Sequence, residues 1–116
     1  MSEVLALPLT ELPVGQLRRV IVDGQPICLA RTGGLEVHAI ADTCTHEGYS
    51  LAEGELIDDE IECPQHSSRF DLATGRPTSL PATVPARIYS ARIHDSAVYV
   101  ETEPKNEGEE DSRSDR

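Results

Sequence analysis

The stretch Cys44-Thr45-His46, answered by Cys63-Pro64-Gln65-His66, decides how the rest of this chain is read. Each arm offers one thiolate and one imidazole, and sixteen residues, 47 to 62, lie between the arms. A structural zinc site more often pairs like with like, as C-x2-4-C followed by H-x3-5-H. Two mixed arms suit a binuclear [2Fe-2S] cluster instead, in which one iron takes both thiolates and the other both imidazoles. The candidate ligands are therefore Cys44, His46, Cys63 and His66. A mononuclear Cys2His2 site is one alternative. The other, inert core thiols beside ordinary histidines, fits poorly with the loop-like sequence around both arms.

Outward from the arms, the punctuation is that of short strands. Leu35 to Ile40 delivers the chain to the first arm, and Glu47 to Glu53 reads as loop. Glu55 to Ile57 and Glu60 to Cys63, turning at Asp58-Asp59, form a hairpin that leaves the first arm and returns to the second. At about 3.3 Å per residue, two short strands and a turn account for the interval between the arms. Upstream, Leu5 to Leu9 and Gln16 to Val22 are strands, and Asp23-Gly24 is a tight hairpin into Pro26 to Arg31. Downstream, Arg69 to Leu72 ends in a Thr74-Gly75 turn. Pro77, Pro81 and Pro85 then predict a stiff irregular loop able to cover the cluster, because proline cannot donate ladder bonds. Ala86 to His94 and Ala97 to Glu101 close the chain around Asp95-Ser96. No helical period of useful length and no internal repeat is present.

With 116 residues the chain is expected to be one domain, burying roughly two thirds of its unfolded surface. Only 38% of residues are hydrophobic and none is Trp, so ordering near the arms is expected to lean on the metal cross-linking two loops. No apolar run approaches the ~18 residues of a membrane span, and Met1-Ser2-Glu3 lacks a basic leader segment. The expectation is a soluble, cytoplasmic monomer with no membrane partner. Ten Lys and Arg against 21 Asp and Glu give a net charge of −11, which makes nucleic acid an unexpected partner. From Pro104 onward there are five acids, three bases and no apolar residue, predicting a disordered acidic tail over 104–116.

The two arms, their order and their spacing resemble the Rieske iron-sulfur family over roughly Val4 to Glu101. The run Cys63-Pro-Gln-His-Ser-Ser-Arg-Phe-Asp-Leu-Ala-Thr-Gly is similar to the Rieske ferredoxins that serve bacterial aromatic-ring dioxygenases, and also to the small subunit of assimilatory nitrite reductases. The resemblance implies that Cys44 and Cys63 bind the inner iron and His46 and His66 the outer one. It implies an all-β fold over residues 1–103, an antiparallel β-sandwich framework with a small cluster-binding subdomain at about 42–85. High-potential relatives carry a disulfide between the arms; the matching positions are Tyr49 and Gln65, so that bridge cannot form. They also hydrogen-bond the cluster through a Ser and a Tyr. Ser68 keeps the first hydroxyl and Phe70 lacks the second, so by this resemblance the chain looks like the low-potential soluble branch.

A one-electron cofactor without a GxGxxG loop or a 2-His-1-carboxylate set describes a carrier, not a catalyst. The reading is a ferredoxin holding one [2Fe-2S] cluster, taking an electron from a flavin-dependent ferredoxin reductase and passing it to the Rieske centre of a terminal oxygenase. The nitrite reductase subunit is the alternative, and a metal-stabilised interaction domain a third. Cys28 reads as a small core residue, and His38 and His94 as ordinary side chains. Glu47 and the six acids from Glu53 to Glu62 read as solvated. The expected docking face is the cluster tip, with Glu47, Gly48, Tyr49, Ser67, Ser68 and Pro81 to Pro85.

Overall fold

The computed structural model describes residues 3–45, 48–64, 68–80 and 82–106. Ten strands run β1 (Glu3–Pro8), β2 (Leu17–Val22), β3 (Gln25–Gly33), β4 (Glu36–Ala41), β5 (Glu55–Ile57), β6 (Glu60–Glu62), β7 (Arg69–Asp71), β8 (Pro77–Ser79), β9 (Ile88–His94) and β10 (Ala97–Pro104). Two sheets result, one of six strands in the order β1-β10-β9-β4-β3-β2 and one of four in the order β5-β6-β7-β8. Every described pairing is antiparallel. The larger sheet curls until its edge strands β1 and β2 approach one another. The smaller sheet is an insertion between β4 and β9, so both chain crossings into it leave from adjacent strands.

Turn chemistry sets the registers. Asp23 and Gly24 both have positive φ (53° and 80°), as do Asp95 and Ser96 (53° and 62°). Two-residue loops with positive φ at both positions match the twist of the strands they join. Ser96 bears a Cβ in that conformation, and its carbonyl accepts the Leu9 amide at 2.9 Å, tying the turn to the end of β1.

β3 shows how the two cores share one strand. Ile27, Cys28, Leu29 and Ala30 are all buried, an uninterrupted apolar run that marks a strand covered on both faces. Ile27 and Leu29 join Leu7, Leu12, Val22, Ala39, Tyr89, Val98 and Val100 inside the curled sheet. Cys28 and Ala30 point to the opposite side, where they meet Ile40, Leu51, Ile61, Phe70, Leu72 and both arm cysteines. Adjacent residues thus serve opposite cores, as the two-residue period of a strand requires. The second core joins the insertion to the framework, so the arms are positioned by apolar burial.

Three expectations need correction. Pro77 does not lie in an irregular loop; it opens β8, an edge strand, where its missing N–H faces no ladder partner. The loop over Glu47 to Glu53 contains a short 3-10 turn at Leu51–Glu53, and another occurs at Leu9–Glu11. The tail does not begin at Pro104. β10 runs through Pro104, the Lys105 amide bonds the Ile88 carbonyl at 2.7 Å, and the Asn106 side chain makes three further bonds. Composition weighed only the apolar content of that segment, whereas polar satisfaction is what orders it. Residues 107–116 lie outside the described residues.

On the outer face, Glu3 of β1 reaches across β10 to Arg92 of β9, with one oxygen 2.9 Å from the guanidinium. That bond holds the Glu3 carboxyl below its ordinary value of 4.5. A depressed carboxylate contributes stability that is present above its unfolded value and is lost as pH falls through its folded one. Glu3→Gln is therefore expected to lower the melting temperature slightly at neutral pH and to converge with wild type in acid. Thermal melts across pH 2–7 would check it. The effect is small because the pair is exposed to solvent screening.

Candidate metal centre

The first arm is a narrow loop that extends the ladder beyond β4. The Leu51 amide bonds the Asp42 carbonyl at 2.6 Å, Thr43 bridges Ser50, and the Cys44 amide bonds the Tyr49 carbonyl at 2.8 Å. The Gly48 amide returns to the Cys44 carbonyl at 2.9 Å, with Gly48 at φ +83°. The second arm leaves β6 and closes on itself where the Cys63 amide bonds the Ser68 carbonyl at 2.7 Å. Each cysteine is thus fixed by its own backbone amide.

Cys44 and Cys63 are each 2% exposed and sit in one apolar cluster with Ile61, Phe70 and Leu72. No disulfide involves either of them or Cys28. Bound as thiolates, the pair would need a cation beside them, because isolated buried charge is costly. This donor set fits iron held through sulfur from inside the protein. His46 and His66, with Glu47, Gln65, Ser67 and Pro81, lie outside the described residues. Among the described residues no group of three or more His, Cys, Asp or Glu could hold a metal ion. The two cysteines alone fall short of that number.

Of the remaining candidates, Cys28 falls where the sequence put it, whereas Ser68 and some of the hairpin acids do not. Cys28 is fully buried, and burial pushes its thiol up, with the nearby Asp42 charge adding to the shift. It stays protonated at neutral pH and packs as a small apolar side chain. His38 lies on β4 opposite Ala30, and His94 ends β9, with its Nε2 3.3 Å from Asp95 and its ring against Tyr99. The acids from Glu53 to Glu62 are not uniformly solvated: Glu62 and Glu60 pair with Arg69 across β6 and β7 at 3.3 and 4.0 Å. Ser68, expected on the docking face, is fully buried and cannot touch a partner.

Sequence reasoning missed two residues that shape the arms. Asp42 is buried, with one carboxylate oxygen accepting the Ala52 amide at 3.0 Å and the other accepting Arg19 Nε at 3.2 Å. It caps the 3-10 turn that ends the first arm, a role short acids fill well, and its place just before the Cys44 arm was the available signal. Gly54 is where the arms touch. A Cβ built there would overlap the Glu62 carbonyl oxygen and lie 3.2 Å from Pro64 Cδ. Only a residue without a side chain lets the first loop pass this close to the second.

A third segment spans both arms. The Ala82 amide donates to Ser68 Oγ at 3.1 Å, and Thr45 Oγ1 donates to the Val84 carbonyl at 2.8 Å. The loop from Ala82 to Ala86 therefore acts as a strap that ties the two cysteine loops by hydrogen bonds.

The sequence profile of the Rieske [2Fe-2S] domain matches residues 2–90. The chain is 40% identical over 97 residues to ferredoxin CarAc of Metapseudomonas resinovorans, covering 83% of this chain and 90% of that protein. It is 35% identical over 102 residues to the 3-phenylpropionate/cinnamic acid dioxygenase ferredoxin subunit of Shigella boydii serotype 4 (strain Sb227), covering 87% of this chain and 94% of that one. Its structure is similar to a chain in the solved complex of reduced oxygenase and oxidized ferredoxin in carbazole 1,9a-dioxygenase, with a TM-score of 0.83 and 37% identity over 90% of this chain and 96% of the other.

Proposed function

Because the chain belongs to the Rieske [2Fe-2S] family and is a one-electron carrier of the ferredoxin type, we propose that Cys44 and Cys63 bind the inner iron of its one cluster and His46 and His66 the outer iron. The cluster supplies a single reversible one-electron step when bound. What the chain itself supplies is burial of the sulfur side, rigid amides at Cys44 and Cys63, and the strap that fixes the two loops. The observation that carries the reading is two cysteines, disulfide-free, sharing one apolar pocket at the ends of two touching loops. The insertion between β4 and β9, with its connecting loops, is the cluster-binding subdomain.

One relative named above is a dioxygenase ferredoxin subunit, and one similar solved structure holds a ferredoxin in complex with the oxygenase of carbazole 1,9a-dioxygenase. The partners proposed here are accordingly a flavin-dependent reductase and the Rieske centre of a terminal oxygenase, met in turn by a cytoplasmic monomer. The docking face is the side that carries the arm tips. Tyr49 is 45% exposed beside the first arm, and Leu80, which the sequence reading passed over, is 76% exposed at the start of the strap loop. Small, transient interfaces suit shuttles that must dissociate each turnover. The test is reductase-driven reduction of a ring-hydroxylating oxygenase: Tyr49→Glu should slow it several-fold with cluster content unchanged, while Asp58→Asn, in the β5–β6 turn, should leave it unaffected. Normal transfer by the Tyr49 variant and failure of the Asp58 one would sink the docking model.

The midpoint potential is expected in the lower part of the Rieske range of roughly −150 to +300 mV. Ser68 Oγ accepts from Ala82, which leaves its proton to donate elsewhere in the buried site. Ser68→Ala should lower the potential further, and protein-film voltammetry of both proteins would show it. The same change strands the Ala82 amide, so a stability loss of about 1–3 kcal/mol should accompany it.

A further inference from the structure

The Asn106 side chain sits beyond the last strand, yet it makes three hydrogen bonds at the base of the strap. Its Nδ2 donates to the Thr74 carbonyl at 3.1 Å and to the Ala86 carbonyl at 3.0 Å, and its Oδ1 accepts the Ile88 amide at 2.9 Å. Both faces of the amide are thereby used, which no other residue type of this size could do at once. The neighbouring Lys105 amide bonds the Ile88 carbonyl at 2.7 Å. Gly75 makes the arrangement possible: at φ +80°, a Cβ there would overlap the Ala86 carbonyl oxygen and lie 3.0 Å from Asn106 Nδ2. The Ala86 amide also bonds the Gly75 carbonyl at 2.8 Å. Three segments distant in sequence, the β7–β8 turn, the base of the strap and the end of β10, therefore meet at one amide.

We infer that Asn106 is a positioning residue for the cluster site, acting through the Ala82 to Ala86 strap. The chain of contacts is continuous. Asn106 holds Ala86 and Ile88, the strap rises from them, Val84 receives Thr45 of the first arm, and Ala82 meets Ser68 of the second. Without an inter-arm disulfide, the fixed base of the strap is what keeps those two upper bonds in register. Loss of Asn106 leaves the Ile88 amide, in a residue 5% exposed, without its acceptor and frees the strap to lift. The consequence reaches the cluster as faster loss of iron and a changed hydrogen-bond setting, because Ser68 shares its hydroxyl with Ala82. The inference rests on the arms as the cluster site, which the spectrum of the wild-type holoprotein checks separately.

The experiment uses the full-length holoprotein. Asn106→Ala and Asn106→Asp are compared with wild type for the rate of cluster loss to a chelator, the midpoint potential and the electron paramagnetic resonance line shape. At a net ~1 kcal/mol per bond, removal of the three bonds corresponds to roughly a hundredfold faster loss. Asn106→Asp keeps the shape and the Ile88 bond but sets an oxygen against two carbonyls, so it should show the same direction of change even if the alanine variant fails to fold. Two truncations separate this residue from the segment beyond it: a stop after Asn106 should behave as wild type, and a stop after Lys105 should match Asn106→Ala. Thr45→Val, which removes the upper bond, should combine with Asn106→Ala less than additively, since both act through one strap. Wild-type cluster retention, potential and line shape in both Asn106 variants would overturn the inference. Strict additivity with Thr45→Val would overturn the route through the strap.

Discussion

Replacing His46 or His66 with alanine is expected to abolish the Rieske signature of the purified protein, while His38→Ala and His94→Ala leave it intact. Imidazole ligation of one iron is what raises a [2Fe-2S] centre above an all-thiolate one, so loss of either ring removes both a bond and the feature that defines the spectrum. Visible absorption, paramagnetic resonance and iron plus acid-labile sulfide analysis on anaerobically prepared protein measure the outcome. Wild-type protein should contain two irons and two sulfides, the stoichiometry of its cluster. Stoichiometric zinc without sulfide would refute the ligand assignment. The control pair is discriminating, because His38 and His94 belong to framework strands whose pairing partners are Ala30 and Ala97.

Gly54→Ala is expected to damage both stability and cluster retention, with no ligand touched. The added methyl collides with the Glu62 carbonyl oxygen, and a backbone oxygen cannot rotate away as a side chain can. Relief requires the first arm to move off the second. Overpacking costs typically 1–3 kcal/mol and occasionally more, and here it falls on the junction of the two loops. Chemical denaturation of the holoprotein should show a loss of about 3 kcal/mol, the upper end of that range, together with release of iron at lower denaturant concentration than wild type. Gly34→Ala is the matched control: nothing lies within 4 Å of its built Cβ, and its φ is not in the left-handed region, so stability should stay within about ±0.5 kcal/mol. Equal behaviour of the two variants would show that the arms tolerate separation.

These expectations show which structural facts lie open in residue types and which do not. The arms, the small hairpins at Asp23-Gly24, Asp58-Asp59 and Asp95-Ser96, and the strands between them could be read directly, since each depends on contacts within a few residues. The candidate ligand types were legible too, because thiolate and imidazole at a set spacing are local chemistry, and they stand as the proposal made above. The burial of β3 on both faces was legible as an apolar run, though not what would cover each face.

Contacts between segments far apart in the chain decided the rest. Pro77 entered a strand because the fold offered it an edge, and Ser68 was buried because the strap closed over it. Gly54 reads in sequence as one more flexible residue; its need to be glycine comes from Glu62 arriving beside it. Asp42 and Arg19 are 23 positions apart, and Asn106 bonds groups 18, 20 and 32 positions away. The amino-acid sequence by itself determined the cofactor chemistry and every strand but β8, because ligand type, alternation and turn propensity act locally. Tertiary structure alone decided how the two arms are held at one spacing, because buried amides and carbonyls find whichever polar partner the folded chain brings within reach, and composition carries no record of that meeting.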